Sequence, residues 1–273
     1  MKKVLLLICS ALVLSACGTH KNAEETASSK SLVLYYSQLG TTKQLAQLIQ
    51  QRVGADIEEI TLVTPYDTSF QKTIERCQQE KKDGILPEIN PLVSVVDNYD
   101  TIYIGYPIWF GTYAPPIATL LKNVDFTGKV IVPFCTFGSG GIEASRDSLM
   151  SVLPENLVLE GYGVRAARIA AAEKEIDPWL IRIEALPGEF VPMLEFGELQ
   201  SLTPETQAIF DEACGDYPMP LGTPVSVAST PGNGCTHYCF ETESQSPNGE
   251  KSNAVIYVIK PTTGKAEFTK VIR

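Results

Sequence analysis

The six residues Ser37-Gln38-Leu39-Gly40-Thr41-Thr42 carry three hydroxyls and one glycine. Hydroxyls and backbone N–H groups donate to anions, and a glycine lets backbone come close to what it binds. Two later stretches have a different chemistry. Gly105-Tyr106-Pro107-Ile108-Trp109-Phe110-Gly111-Thr112-Tyr113 offers flat aromatic surface, and Cys135-Thr136-Phe137-Gly138-Ser139-Gly140-Gly141 is rich in glycine. One stretch suits a phosphate, one a flat ring, and one a close approach of backbone. Brought together they would form a site for a phosphorylated planar molecule. Each also has a plainer use: Ser and Thr cap helices, and large aromatics such as Trp109 and Phe110 fill cores.

The elements around these stretches decide whether they meet. Leu32-Val33-Leu34-Tyr35-Tyr36 is a short apolar run of the kind that forms a buried strand. Leu45, Leu48, Ile49 and Val53 recur at helical spacing. A turn from a buried strand into a helix presents free N–H groups and the positive end of the helix to one point. The alternation continues over residues 31–186. Ala55 to Ile60 reads as an edge strand whose apolar members are Ile57 and Ile60. Phe70 to Lys82 reads as a polar helix ending before Asp83-Gly84. Tyr99 to Tyr106 is the third strand, Pro115-Pro116 opens a helix through Leu120 and Leu121, and Lys129 to Phe134 is the fourth strand. A helix is expected from about Ile142 to Leu153, a fifth strand from Leu157 to Val164, and a last helix opened by Pro178-Trp179-Leu180. This order predicts an α/β fold with a doubly wound, five-stranded parallel sheet. Such sheets bind ligands beyond the carboxyl ends of their strands, at the topological switch point.

Three motifs in order carry a family resemblance. Tyr36 to Thr42 reads Tyr-Ser-x-x-Gly-x-Thr, Gly105 to Trp109 reads Gly-Tyr-Pro-Ile-Trp, and Pro133 to Gly140 reads Pro-Phe-x-Thr-x-Gly-x-Gly. In these the chain resembles the flavodoxin-like family over residues 31–186. The resemblance implies strand order 2-1-3-4-5 and bound FMN. It implies that Ser37, Gln38, Gly40, Thr41 and Thr42 surround the phosphate. Pro107, Ile108, Trp109, Phe110, Gly111 and Thr112, with Thr136, Phe137, Gly138, Gly140 and Gly141, would border the isoalloxazine ring. The chain departs from the family at Leu39, where a hydroxyl is common, and at Thr41, where Asn is common. One hydrogen bond to a charged phosphate is worth about 1.5–3 kcal/mol.

Other chemistries find little support. The only histidines are His20 and His237, so no local Ser–His or Cys–His pair forms within residues 31–186 and no catalytic residue is assigned there. Gly138-Ser139-Gly140 lacks the spacing of a nucleophile elbow. No Gly-x-Gly-x-x-Gly follows a strand, so no fixed NAD site is expected. Cys135, with nothing basic beside it in sequence, reads as a small buried strand residue.

The chain's start reads as an export signal. Lys2 and Lys3 precede an apolar run, Val4 to Leu14, that is too short to span a bilayer. Leu14-Ser15-Ala16-Cys17 resembles the lipobox of bacterial lipoproteins, which implies cleavage after residue 16 and lipidation of Cys17. Residues 17–30 read as a polar tether. The expected location is the cell envelope, with the protein held to a membrane by lipid. The chain has 22 Lys and Arg against 32 Asp and Glu, a net charge of −10, and loss of residues 1–16 would remove two more positive charges. Such a surface does not seek nucleic acid or anionic lipid and suits a basic redox partner.

Beyond a flavodoxin-like unit at 31–190, residues 191–202 read as a linker and 203–273 as a small α+β domain. Thr203 caps a helix from about Pro204 to Cys214, with Glu205 in its first turn. Four strands follow, at Val225–Ala228, Thr236–Thr242, Ala254–Lys260 and Ala266–Ile272, separated by Gly-bearing turns. The order is similar to a cystatin-like fold, although Pro224-Val225-Ser226-Val227-Ala228 lacks the Gln and Gly of that family's inhibitor loop. Cys235, His237 and Cys239 share one strand face. Same-face residues on a strand sit roughly 6.6 Å apart, which spreads them too far for one zinc ion. A structural face or a disulfide to Cys214 fits better, and no metal is assigned. The function expected is electron transfer through FMN. Two alternatives share parts of this reading: an NAD(P)H-dependent flavin or quinone reductase, and a binding protein that has lost its flavin, which the Leu39 departure keeps open.

Overall fold

The computed structural model describes residues 30–246 and 248–273. The expected signal, Cys17 and all but the last residue of the tether lie outside the described residues. The first domain is built on β1 (Ser31–Tyr35), whose Leu32, Val33 and Leu34 are fully buried. In chain order there follow α1 (Thr41–Val53), β2 (Asp56–Glu59), α2 (Phe70–Asp83), β3 (Thr101–Trp109), β4 (Thr112–Tyr113), α3 (Pro115–Asn123), β5 (Val130–Phe137), α4 (Glu143–Val152), β6 (Leu157–Val158), β7 (Tyr162–Arg165) and α5 (Ala172–Arg182). The parallel sheet runs β2-β1-β3-β5, and β6 and β7 both pair with the outer side of β5. Counting β6 and β7 as one interrupted strand, this is the expected five-stranded order 2-1-3-4-5.

Successive residues of a strand face opposite sides, and both sides of this sheet are covered. Leu32 and Leu34 join Ile102, Ile104 and Ile131 beneath Ile117, Leu120 and Leu149 of α3 and α4. Val33 and Tyr35 join Tyr103, Val132 and Phe134 beneath Leu45 and Ile49 of α1 and Ile176, Trp179 and Leu180 of α5. Two-sided burial is why these strands read as unbroken apolar runs.

Several boundaries differ from the sequence expectation. The third strand continues to Trp109, because Thr112 and Tyr113 fold back on it and pair with Trp109 and Ile108. The fourth strand likewise extends to Phe137. The fifth strand is broken. Ile131 O accepts the Leu159 N–H at 2.9 Å, so odd-numbered residues of β5 turn their backbone groups to this edge. The next such residue is Pro133, which has no N–H to give, and pairing lapses. The Glu160 carbonyl freed at the break accepts the Trp179 indole N–H at 3.0 Å. The last helix starts at Ala172, with Pro178 inside it. The preceding Ala-rich turn and Glu173, Lys174 and Glu175, all good helix formers, outweigh the preference of proline for a first turn. Ile57 of edge strand β2 is exposed, whereas Ile60 just beyond it is buried.

The second domain is a meander of β8 (Gln200–Ser201), β9 (Thr223–Gly232), β10 (Cys235–Gln245), β11 (Lys251–Pro261) and β12 (Glu267–Ile272), in the order β12-β11-β10-β9-β8. It therefore has five strands rather than four, since Gln200 and Ser201, expected in the linker, pair with Val227 and Ser226. Helix α6 (Pro204–Cys214) lays Ile209, Phe210 and Cys214 on Val227, Phe240, Ile256, Val258 and Phe268. Thr203 caps it through a reciprocal box with Thr206. All five described cysteines are free thiols. Cys214 lies on the helix-covered face with Phe240, whereas Cys235 and Cys239 alternate to the other face, so no disulfide joins them. Cys235 Sγ lies 3.4 Å from His237 Nε2. Burial raises the Cys235 thiol and lowers the imidazole, which disfavours a thiolate–imidazolium pair. Among the described residues no three side chains converge as metal ligands, and no helix is long and apolar enough to cross a membrane.

Gly105 is where β3 crosses the Phe134 ring. A Cβ on it would lie 2.1 Å from Phe134 Cζ. Gly105→Ala is expected to destabilise the first domain by about 1–3 kcal/mol, the usual cost of overpacking. Adding Phe134→Leu should recover part of the loss. Urea midpoints of the two variants check this, and an unchanged midpoint for Gly105→Ala would show that the ring moves freely aside.

Candidate functional site

The register of the sheet brings the three chemistry-bearing stretches to one edge. Tyr35 of β1 stands beside Gly105 of β3, and Gly105 beside Phe134 of β5. Tyr36 N–H continues the ladder to Gly105 O at 2.9 Å. The chain leaves β1 for β2 on one side and later returns as β3 on the other. The gap between β1 and β3 is thus the switch point, and residues 37–42, 107–113 and 138–141 all lie at the carboxyl edge around it.

Gly40 precedes α1 in the left-handed region, at φ +88°. A β-carbon would meet nothing there within 4 Å, so backbone conformation rather than space favours glycine. Ser37 Oγ accepts the N–H groups of Gly40 and Lys43 at 3.1 and 3.2 Å. The hydroxyl therefore caps the helix, as the plainer sequence reading had it. The Thr41 and Thr42 N–H groups belong to the first turn, which has no intrahelical acceptors, and they have no partner among the described residues. Two free donors at a helix start fit a phosphate. Gln38 is committed elsewhere: its amide donates to Asp67 O and Thr73 Oγ1, both at 2.7 Å, and ties the loop to the start of α2. Leu39 is 69% exposed.

The hydroxyls of Thr42 and Thr136 are buried and lie 2.8 Å apart. They join the first loop to β5. Phe137 is likewise buried in the core. Gly138 and Gly140 have open space where a side chain would stand. Pro107 and Ile108 lie within β3, and the Pro107 carbonyl accepts the Ala114 N–H at 3.2 Å to close the hairpin.

Trp109 stands edge-on to Tyr36 and Tyr66, with ring centroids 5.9 and 5.1 Å away. Arg76 lies over Tyr66 at 4.1 Å, and the Tyr66 hydroxyl donates to Glu80 at 2.5 Å. Trp109 is thereby held in a fixed orientation while remaining partly exposed. Phe110 and Gly111 form the two-residue tip between Trp109 and Thr112, with φ of +51° and +81°. Positive φ at both positions is the signature of a tight hairpin turn. Gly111 adopts it at no cost, but a phenylalanine there costs about 1–2 kcal/mol. A strained aromatic, 65% exposed at the mouth of the switch point, is the kind of outlier that marks a ligand contact.

Burial raises the phenols of Tyr36, Tyr66, Tyr106 and Tyr113, which keeps them neutral near pH 7. Burial also pushes the Cys135 thiol well up, as suits a packing residue rather than a nucleophile. Sequence reasoning missed Tyr66, which no motif marks, and Arg165 at the end of β7. Arg165 donates to Gly138 O at 2.8 Å and so holds the glycine loop from outside. It lies 27 residues from Gly138, and only the pairing of β7 with β5 brings the two together.

The Thr42–Thr136 pair yields a test. Thr42→Val leaves the Thr136 hydroxyl buried without its partner and is expected to cost about 1–3 kcal/mol. Thr42→Val with Thr136→Val removes both ends of the bond and should cost less than the sum of the single changes. Denaturant unfolding of the four proteins in the cycle measures the coupling, and strict additivity would mean the hydroxyls do not interact.

A family model described as flavodoxin matches residues 30–183. No curated protein matches the chain. Among solved structures, the chain is 30% identical to a candidate flavoprotein from Bacteroides eggerthii, over 57% of this chain and 98% of that one, with a TM-score of 0.49. It is 29% identical to a candidate flavoprotein from Bacteroides uniformis, over 55% and 98%, with a TM-score of 0.49. It is 27% identical to a flavoprotein from Lactobacillus acidophilus solved in complex with FMN, over 55% and 98%, with a TM-score of 0.46. The family match covers more than half of the chain and includes all three loops at the switch point; through this first domain, the chain belongs to the flavodoxin family.

Proposed function

We propose that this protein binds FMN at the switch point and transfers electrons. The observation that carries the reading is the unpaired N–H pair of Thr41 and Thr42 beside Gly40, at the same sheet edge as the exposed Phe110 and the open positions at Gly138 and Gly140. A phosphate suits the N–H groups of the first, and a flat ring suits the aromatic and glycine surfaces of the second and third. When bound, the flavin supplies the redox chemistry. The chain's own residues orient and shield it: Trp109 is braced by Tyr36 and Tyr66, and Gly138 is braced by Arg165. The acidic balance of the chain favours a basic redox partner. The helix laid across a meander supports the cystatin-like reading of the second domain.

Purified protein is expected to be yellow and to release FMN on denaturation. Gly40→Val forces a β-branched residue into the left-handed region and disturbs the N–H pair next to it. It should weaken FMN more than riboflavin, because only FMN carries the phosphate. Fluorescence titration with both ligands checks this. Equal weakening with an intact circular dichroism spectrum would mean the loop is a helix cap only. A colourless protein that also takes up no added FMN would leave the flavin-free binding role. Steady oxidation of NADH or NADPH with a quinone acceptor would favour the reductase role over electron carriage.

The same reading places the protein in the cell envelope, anchored through lipid on Cys17. Cys17→Ser is expected to move it from the membrane pellet to the soluble fraction and to abolish incorporation of labelled fatty acid. Retention in the pellet with no change in labelling would overturn the anchor.

A further inference from the structure

The glycine loop at the switch point is gripped from the second domain. Among the described residues, strand β12 pairs only with β11, so one side of its backbone faces away from its own sheet. Bare strand edges of this kind seek partners. Here the Val271 N–H donates to Ser139 O of the glycine loop at 2.8 Å. One residue earlier, Lys270 pairs with Glu143. The Glu143 carboxylate lies directly against Gly141: a β-carbon on that glycine would be 2.1 Å from Oε2. Two residues earlier again, Phe268 O accepts an N–H from Arg165 at 2.8 Å, while the Arg165 Nε–H donates to Gly138 O at 2.8 Å. The guanidinium sits over the Phe268 ring at 4.3 Å. Arg168 adds a bridge between Glu175 of the first domain and Glu267 at the start of β12, at 2.7 Å to each.

Three residues of one strand thus act on three positions of one loop. The loop contains Gly138, Gly140 and Gly141, and without support such backbone loses much freedom when a ligand orders it. A loop already fixed loses less, which raises affinity without adding a contact to the ligand. The carbonyls of Gly138 and Ser139 are held by donors rather than left free to turn, so the dipoles around a bound ring are set as well.

We propose that β12 is a clasp: the second domain sets the conformation of residues 138–141 and through it the affinity and midpoint potential of the flavin. The proposal rests on the FMN reading. Val271, Lys270, Arg165 and Glu143 are positioning residues in it, acting through the loop.

The test uses the full chain and three variants. Lys270→Glu sets two carboxylates against each other. Lys270→Glu with Glu143→Lys restores the pair in reverse. Val271→Pro removes the outward N–H from an edge strand, a position where proline does not break the ladder to β11. FMN affinity, flavin midpoint potential, and hydrogen exchange at residues 138–141 in flavin-free protein are measured for each. Lys270→Glu and Val271→Pro should each weaken FMN by about two- to tenfold, the equivalent of one net hydrogen bond. Both should shift the midpoint potential and speed exchange in the loop, and the charge-swapped pair should recover toward wild type. Affinity, potential and exchange all unchanged in Lys270→Glu and Val271→Pro would overturn the clasp. If Val271→Pro fails to fold, Lys270→Glu and its charge-swapped rescue decide alone. Faster loop exchange in a protein whose wild type binds no FMN would sink the flavin reading and keep the mechanical link; normal FMN binding with no response in any variant would do the reverse.

Discussion

β1 lies between β2 and β3, with Leu32, Val33 and Leu34 fully buried beneath helices on both faces. A strand in this position cannot slip by one residue without exchanging its two apolar sets between the two cores. Its register therefore fixes where the chain emerges, and Tyr36 N–H bonding to Gly105 O ties that exit to the exit of β3. The β5 exit follows from the same ladder, through Gly105 beside Phe134. Everything proposed for the ligand depends on this alignment, since no single loop holds both phosphate-type and ring-type groups.

The polar residues of the loops divide their work between structure and binding. Ser37 satisfies the N–H groups of Gly40 and Lys43, Gln38 anchors the loop to the start of α2, and Thr42 locks to Thr136. These side chains rigidify the loop so that backbone donors remain in place for a ligand. This arrangement suits preorganised binding, where the groups that meet the ligand are held by others behind them. Phe110, exposed and at positive φ, carries backbone strain at the mouth of the switch point.

The second domain is joined to this edge rather than merely appended. Arg165, Arg168 and Glu143 belong to the flavodoxin domain, and each reaches a residue of β12. An edge strand that would otherwise stand bare is covered by the loop it contacts. Stability of the β12 edge and order in the glycine loop are therefore coupled through the same few bonds.

Much of this was legible in the residues. The buried run at Leu32–Tyr36, the helical spacing of Leu45 and Ile49, the proline pair opening α3 and the Thr203 cap are local signals, and local physics is enough to read them. The alternation of strands and helices over residues 31–186 carried the doubly wound sheet, and the three motifs carried its strand order. What tertiary structure decided was long-range. The lapse of the fifth strand comes from Pro133 on a neighbouring strand. The Thr42–Thr136 bond and the grip of β12 on residues 138–143 join groups about a hundred residues apart or more. Propensity and spacing describe a residue's neighbours in sequence; which hydroxyl or carbonyl is left for a ligand depends on partners that only folding brings near.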